Sequence, residues 1–115
     1  MAIIKADAYG HGLLPLAQAA LGAGVDWLGV AQLAEAFELR VGLDNAGIAR
    51  DSAPILAWIS TTGSDFESAI RGDIDLSVSW TWVLDEVCAA ARRCGRPARI
   101  HVKIDTGMSR AGSTL

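Results

Sequence analysis

Two short stretches carry side chains whose types and spacing could do chemistry. The first is Ile3-Ile4-Lys5-Ala6-Asp7-Ala8-Tyr9-Gly10-His11-Gly12, with a lysine, a tyrosine and a histidine in close succession. The second is His101-Val102-Lys103-Ile104-Asp105-Thr106-Gly107-Met108-Ser109-Arg110-Ala111-Gly112. Lys5 follows directly on the apolar run Ala2-Ile3-Ile4, which reads as a buried strand. Its ammonium therefore falls at the end of that strand or inside it. A buried cationic lysine is costly, so such a lysine is neutral, paired or covalently used. A desolvated lysine with a lowered pKa is what a Schiff base with an aldehyde cofactor requires. The alternative is a strand-end lysine that reaches solvent, as most lysines do.

The elements that must position these residues alternate along the chain. Strands are expected at Ile3–Ile4, Trp27–Ala31, Ala53–Ile59, Ile74–Ser79 and Arg99–Ile104. Helices are expected at Leu13–Ala23, Gln32–Val41, Asp65–Arg71 and Trp82–Cys94, with a polar loop from Asp44 to Ser52. Pro15 suits a first helical turn, and Gly95 with Pro97 stops the last helix. Ser64 is read as an N-cap, with Glu67 at the capping-box position. Apolar stripes run through Leu13, Leu16, Ala17, Ala20 and Leu21, through Leu33, Ala36, Phe37 and Val41, and through Val83, Leu84, Val87, Ala91 and Cys94. The order βαβαβαβαβ with near-continuous apolar strands implies a parallel α/β sheet. Both chemical stretches follow strands. That is the catalytic face of a parallel barrel and equally the ligand edge of an open doubly wound sheet. The pattern does not separate the two folds. In strand five, His101, Lys103 and Asp105 alternate with Ile100, Val102 and Ile104, so one side faces either a polar centre or solvent.

Composition narrows the function classes. The 115 residues are 51% hydrophobic and 20% charged, which suits one folded domain. The net charge is −3, with no basic stripe, and nucleic acid is not an expected partner. No apolar run approaches the roughly 18 residues of a membrane span. Cys88 and Cys94 point to different faces of one helix and should not pair with each other. No metal-ligand spacing occurs, and two reduced cysteines fit a cytoplasmic protein.

The two stretches, in this order, resemble the two signature motifs of the alanine racemase family. Trp27-Leu28-Gly29-Val30-Ala31, Glu35-Ala36, Pro54-Ile55-Leu56 and Asp73-Ile74-Asp75-Leu76-Ser77-Val78-Ser79 are similar to that family at the right intervals. The resemblance implies a (β/α)8 TIM barrel followed by a β-rich domain. This chain is similar to the stretch from the first barrel strand to just past the fifth. Residues 1–115 are thus expected to be the N-terminal part of a pyridoxal-phosphate-binding barrel domain, with Met1 internal to a longer protein. The absence of a signal peptide then carries no information. Five strands cannot close an eight-stranded barrel, so the piece alone is expected to be inactive and poorly folded.

The resemblance also implies roles. Lys5 would form the Schiff base with pyridoxal 5'-phosphate and act as base on one face of the substrate α-carbon. Tyr9 would bind the cofactor phosphate. Arg110 would approach the cofactor's phenolic oxygen and the substrate carboxylate, and Met108 would line the site. Lys103 is the candidate for carbamylation; as an anion it could hold Arg110 by charge-assisted hydrogen bonds. Ser109 departs from the glycine common at its position, which could alter that turn. His11 is expected to pack under its loop with both ring nitrogens satisfied, Asp7 to fix the loop, and Asp105 to brace its turn. Trp58 is the tryptophan expected to line the site. The implied activity is interconversion of L- and D-alanine, supplying D-alanine for peptidoglycan. It would be carried out by a homodimer whose partner subunit gives the second base as a tyrosine. The alternatives are a racemase of broader specificity and a non-catalytic barrel protein that binds the same cofactor.

Overall fold

A computed structural model describes residues 1–114. Five strands form one sheet: β1 Ala2–Ile3, β2 Leu28–Gln32, β3 Ile55–Ile59, β4 Ile74–Val78 and β5 Ile100–Val102. Every neighbouring pair is parallel, and the order across the sheet is β1-β2-β3-β4-β5. This order resolves the ambiguity left by the sequence. A doubly wound sheet reverses direction at a switch point, whereas here each crossover advances the same way. Right-handed crossovers that never reverse place all their helices on one face. The molecule is therefore an arc of a (β/α)8 barrel.

The helix-facing side is the core. Leu28 and Val30, Ile55 and Ala57, and Ile74 and Leu76 lie in register across β2, β3 and β4. All six are almost fully buried. The residues between them face the inside of the arc: Gly29, Leu56 and Asp75 in one row, Ser77 and His101 in the next. Gly29 is needed there. A Cβ on it would stand 2.8 Å from the Ile3 side chain and 3.3 Å from the Trp58 ring.

Helix α1, Lys5–Gly10, is a left-handed turn rather than an ordinary helix. Its residues Ala6, Asp7, Ala8 and Tyr9 all have φ between 53° and 55°. The remaining helices are α2 Leu13–Gly22, α3 Leu33–Asn45, α4 Phe66–Arg71 and α5 Thr81–Cys94, with a 3₁₀ turn at Arg50–Ser52.

Several sequence expectations are corrected. Helix α3 runs four residues beyond Val41 into the expected loop, and Val41 itself is 59% exposed. The buried face is Leu33, Ala36, Leu39, Arg40 and Leu43, at spacings i, i+3, i+6, i+7 and i+10. Gly42 lies inside the helix and lets Leu14 of α2 approach, where a Cβ would stand 3.1 Å from the leucine methyl. Helix α4 is capped by Asp65, whose Oδ1 accepts from Ser68 N at 2.9 Å. Ser64 instead accepts from Thr61 N, and Glu67 pairs with Arg93 of α5. Leu16 and Leu84 are exposed members of otherwise buried stripes. Strand β3 starts after Pro54, and β4 is buried on both faces although it carries the polar Asp75 and Ser77. Strand β5 stops at Val102, while Ile104 bridges to Ser113. Its apolar side, Ile100 and Val102, is the exposed one; its polar side is half-buried. Cys88 and Cys94 are both free, as expected.

Arg40 is a buried cation, 3% exposed. Its guanidinium donates to the carbonyls of Ala53, Gly72 and Asp73, fixing the chain as it enters β3 and β4. Burial holds its pKa below the usual arginine value.

Candidate active site at the C-terminal ends of the strands

Lys5 leaves the sheet immediately after Ile4, which is buried in the core. The lysine is half-buried, and its Nζ lies 5.9 Å from the centre of the Tyr9 ring. Tyr9 is 59% exposed, and among the described residues its hydroxyl has no hydrogen-bond partner. The turn carrying both is held at many points. Ala8 is completely buried, and its N–H donates to Ile4 O. Gly12 N donates to Asp7 O, and Asp7 Oδ1 accepts from Leu13 N at 2.7 Å at the start of α2. Asp7 is thus the loop-fixing acceptor that the sequence suggested. His11 does not pack as expected. It is exposed, and among the described residues only Nδ1 has a partner, Ala8 O at 3.0 Å.

Glu35, near the start of α3, ties this turn to β2. Its Oε1 accepts from Ala6 N at 2.6 Å, and its Oε2 accepts from Ala31 N at 3.0 Å and Gln32 N at 2.9 Å. Sequence reasoning noted Glu35 without assigning it a role. A glutamate at the third position of a helix is a capping signal. The preceding Gln32 is not the usual Ser or Thr, which hid it.

The second motif occupies the turn after β5. Lys103 is half-buried, and its Nζ donates to Ala111 O at 2.6 Å. Asp105 Oδ1 accepts from Gly107 N and Ser109 N, so Asp105 does brace the turn. Those backbone bonds hold its carboxyl below the usual carboxylate range. Met108 and Arg110 are exposed. Among the described residues Arg110 has no ion-pair partner, and Lys103 and Arg110 are not joined by a hydrogen bond. Gly112 lies against the backbone of Lys103–Asp105: a Cβ there would be 2.7 Å from Asp105 N, at φ +122°. Ser109 has φ +56°, a conformation that favours glycine.

The two motifs sit on the two edge strands of the sheet. Four strand spacings separate them, on the order of 19 Å along a flat sheet. In a closed eight-stranded barrel, strands one and five are on opposite walls of one mouth. The wall between them carries Trp58, half-buried on the inner side of β3.

Below this mouth, inside the arc, Asp75 is almost fully buried. Its carboxylate accepts from Arg99 Nε at 2.6 Å and contacts His101 Nε2 at 3.0 Å, and the Trp27 ring meets His101 edge-on. Sequence reasoning singled out His101 but not this partner, because β4 reads as an ordinary buried strand. A concavity of about 820 Å³ opens at the opposite, N-terminal ends of the strands, lined by Asp26, Trp27, Arg50, Asp73 and Arg99. Its cations are matched locally: Arg50 with Asp44 and Asp73, and Arg99 with Asp75. It therefore serves as the fold's foot and holds none of the motif residues.

Comparison with known proteins agrees with this geometry. The family described as alanine racemase, N-terminal domain, matches residues 1–115. The chain belongs to the alanine racemase family. It is 54% identical to the alanine racemase of Beutenbergia cavernae over its whole length, covering 29% of that protein. The solved alanine racemase of Streptomyces coelicolor superposes with a TM-score of 0.90 at 45% identity, over 97% of this chain and 28% of that one. A histidine racemase from Leuconostoc mesenteroides superposes with a TM-score of 0.83 at 28% identity, over the whole of this chain and 29% of that one. The chain thus spans under a third of the length of the relatives it matches. Among the described residues no helix is long and apolar enough to cross a membrane.

Proposed function

We propose that the protein carrying this chain is a pyridoxal-phosphate-dependent amino-acid racemase that interconverts L- and D-alanine. The observation that carries this reading is Lys5. It is a half-buried lysine at the end of the first strand of a barrel arc, on a turn fixed from several sides, beside an unpartnered tyrosine. The residues fit the cofactor. Among the described residues Lys5 Nζ has no ion-pair partner, so its nitrogen is open to covalent use. The Tyr9 hydroxyl is free to donate to a phosphate.

When bound, the cofactor supplies an electron sink that stabilises negative charge on the α-carbon. This chain's residues do the rest of their half. Lys5 holds the cofactor and moves a proton on one face of the substrate. Arg110 binds the substrate carboxylate and the ring's phenolic oxygen, and Met108 lines the approach. Lys103, whose Nζ donates to Ala111 O, is the candidate for carbamylation; the conversion would replace a cation with an anion able to hold Arg110. Racemisation needs a second acid–base group on the opposite face. Tyr9 is the chain's one tyrosine and is already assigned. The resemblance to the family implies a tyrosine of the partner subunit in a homodimer as that second base. The setting is cytoplasmic, with D-alanine destined for peptidoglycan.

A second reading, a racemase accepting larger amino acids, is favoured by one observation: a histidine racemase shares this part of the fold. The test is racemisation of L-alanine and L-histidine by the full-length protein and its Lys5→Ala variant. Alanine turnover in the parent, falling at least about a thousandfold in the variant, is expected. Turnover that survives in Lys5→Ala, or a preference for histidine, would overturn the alanine reading.

A further inference from the structure

We propose that Glu35 is a positioning residue for Lys5, acting through the backbone of Ala6. This deepens the reading of Lys5 as cofactor anchor and rests on it.

Four successive non-glycine residues, Ala6 to Tyr9, are left-handed. Each is strained relative to the right-handed form, and such residues normally occur singly. A run of four persists only where its surroundings over-determine it. The bonds from His11, Gly12 and Leu13 fix the middle and exit of the turn, and before Lys5 the backbone of Ile4 donates to Gly29 O of β2 and accepts from Ala8 N. On the other side of Lys5, the N–H of Ala6 is held from outside the turn by the Glu35 carboxylate. The same carboxylate takes both N–H groups at the end of β2. One side chain therefore sets the peptide after Lys5 against the same strand that holds Ile4 before it, and completes the frame from which Lys5 leaves.

The arrangement requires a carboxylate. Three N–H donors converge on two acceptor oxygens. A glutamine has one acceptor, and two donors against one favour placing its oxygen toward Ala31 and Gln32. Its amide NH₂ then faces Ala6 N–H, donor against donor.

The experiment compares the full-length protein with its Glu35→Gln and Asp65→Ala variants. Asp65→Ala removes a helix cap of similar kind on α4, away from Lys5. Two quantities are read: hydrogen exchange of residues 5–10 in the cofactor-free protein, and the dissociation constant for pyridoxal 5'-phosphate. Glu35→Gln is expected to speed the exchange and weaken the affinity, each by about tenfold. Asp65→Ala should lower the melting temperature and leave both quantities unchanged. Should Glu35→Gln not fold, Glu35→Asp, one methylene shorter, withdraws from Ala6 and takes the same readout. Unchanged exchange and affinity in the Glu35 variant, or equal changes in Asp65→Ala, would overturn the proposal. Failure of the parent protein to take up cofactor at Lys5 would instead sink the proposed function, while the exchange comparison still decides whether Glu35 holds the turn.

Discussion

The turn after β1 and the turn after β5 are built on different principles. The first is strained, and distant residues hold it: Glu35 grips its entry, Ala8 is buried beneath it, and Asp7 ties its exit to α2. The second is held almost entirely by itself. Asp105 takes two of the turn's own N–H groups, Ser113 pairs with the backbone of Lys103 and Asp105, and Met108 and Arg110 point outward. The difference suits the proposed roles. A residue that anchors a cofactor gains from a fixed exit vector. Residues that meet a small substrate on the opposite wall need a stable loop base but not a rigid tip.

Substitutions can break or sharpen this contrast. The largest effect is expected at the base of the second turn. Gly112→Ala should destabilise by about 2–3 kcal/mol, because the new Cβ meets the Asp105 backbone at a strained φ. Thermal or urea unfolding measures it, and a shift under 0.5 kcal/mol would mean the turn rearranges freely. Next is Asp7→Ala, which removes the acceptor for Leu13 N; a loss of about 1 kcal/mol is expected in the same assay. Exchange at residues 5–10 should rise with it, while exchange at 103–113 should not. Both segments changing together would contradict their independence. Ser109→Gly goes the other way. Relief of the left-handed strain should stabilise by up to about 1 kcal/mol, and a destabilised variant would show that the serine makes a compensating contact.

The smallest effect is a dependence on pH. The Asp105 carboxyl is held below its ordinary value by the bonds from Gly107 and Ser109. A depressed folded pKa means the brace is fully present above the ordinary carboxylate value of about 3.9. It is lost as pH falls below that value through the folded one. Exchange at Gly107 and Ser109, corrected for intrinsic rate, should increase over that interval and be flat above it. In Asp105→Asn the step should vanish.

Much of the scaffold was legible in the sequence for a physical reason. The near-continuous apolar runs of β2 and β3 mark them as sheet interior, and Gly95 with Pro97 ends α5 unambiguously. Strand order was not legible, since βαβ units look alike in a barrel and in an open sheet. The motif residues Lys5, Tyr9, Lys103 and Arg110 could be placed at strand ends, but the hand of the first turn could not. Ala-Asp-Ala-Tyr has no glycine to signal positive φ; a carboxylate 29 positions away and the burial of Ala8 impose it. Arg40 was missed for a related reason. A charged residue in an apolar stripe reads as exposed, unless the carbonyls that will receive it, at Ala53, Gly72 and Asp73, are already known to lie there.

The most direct test of the central claim is chemical. The full-length protein is incubated with pyridoxal 5'-phosphate, reduced with borohydride, digested and mapped by mass spectrometry. The cofactor mass is expected on Lys5 alone, and in Lys5→Arg it should be lost without moving to Lys103. A label on Lys103, or none on Lys5 in the parent protein, would contradict the assignment.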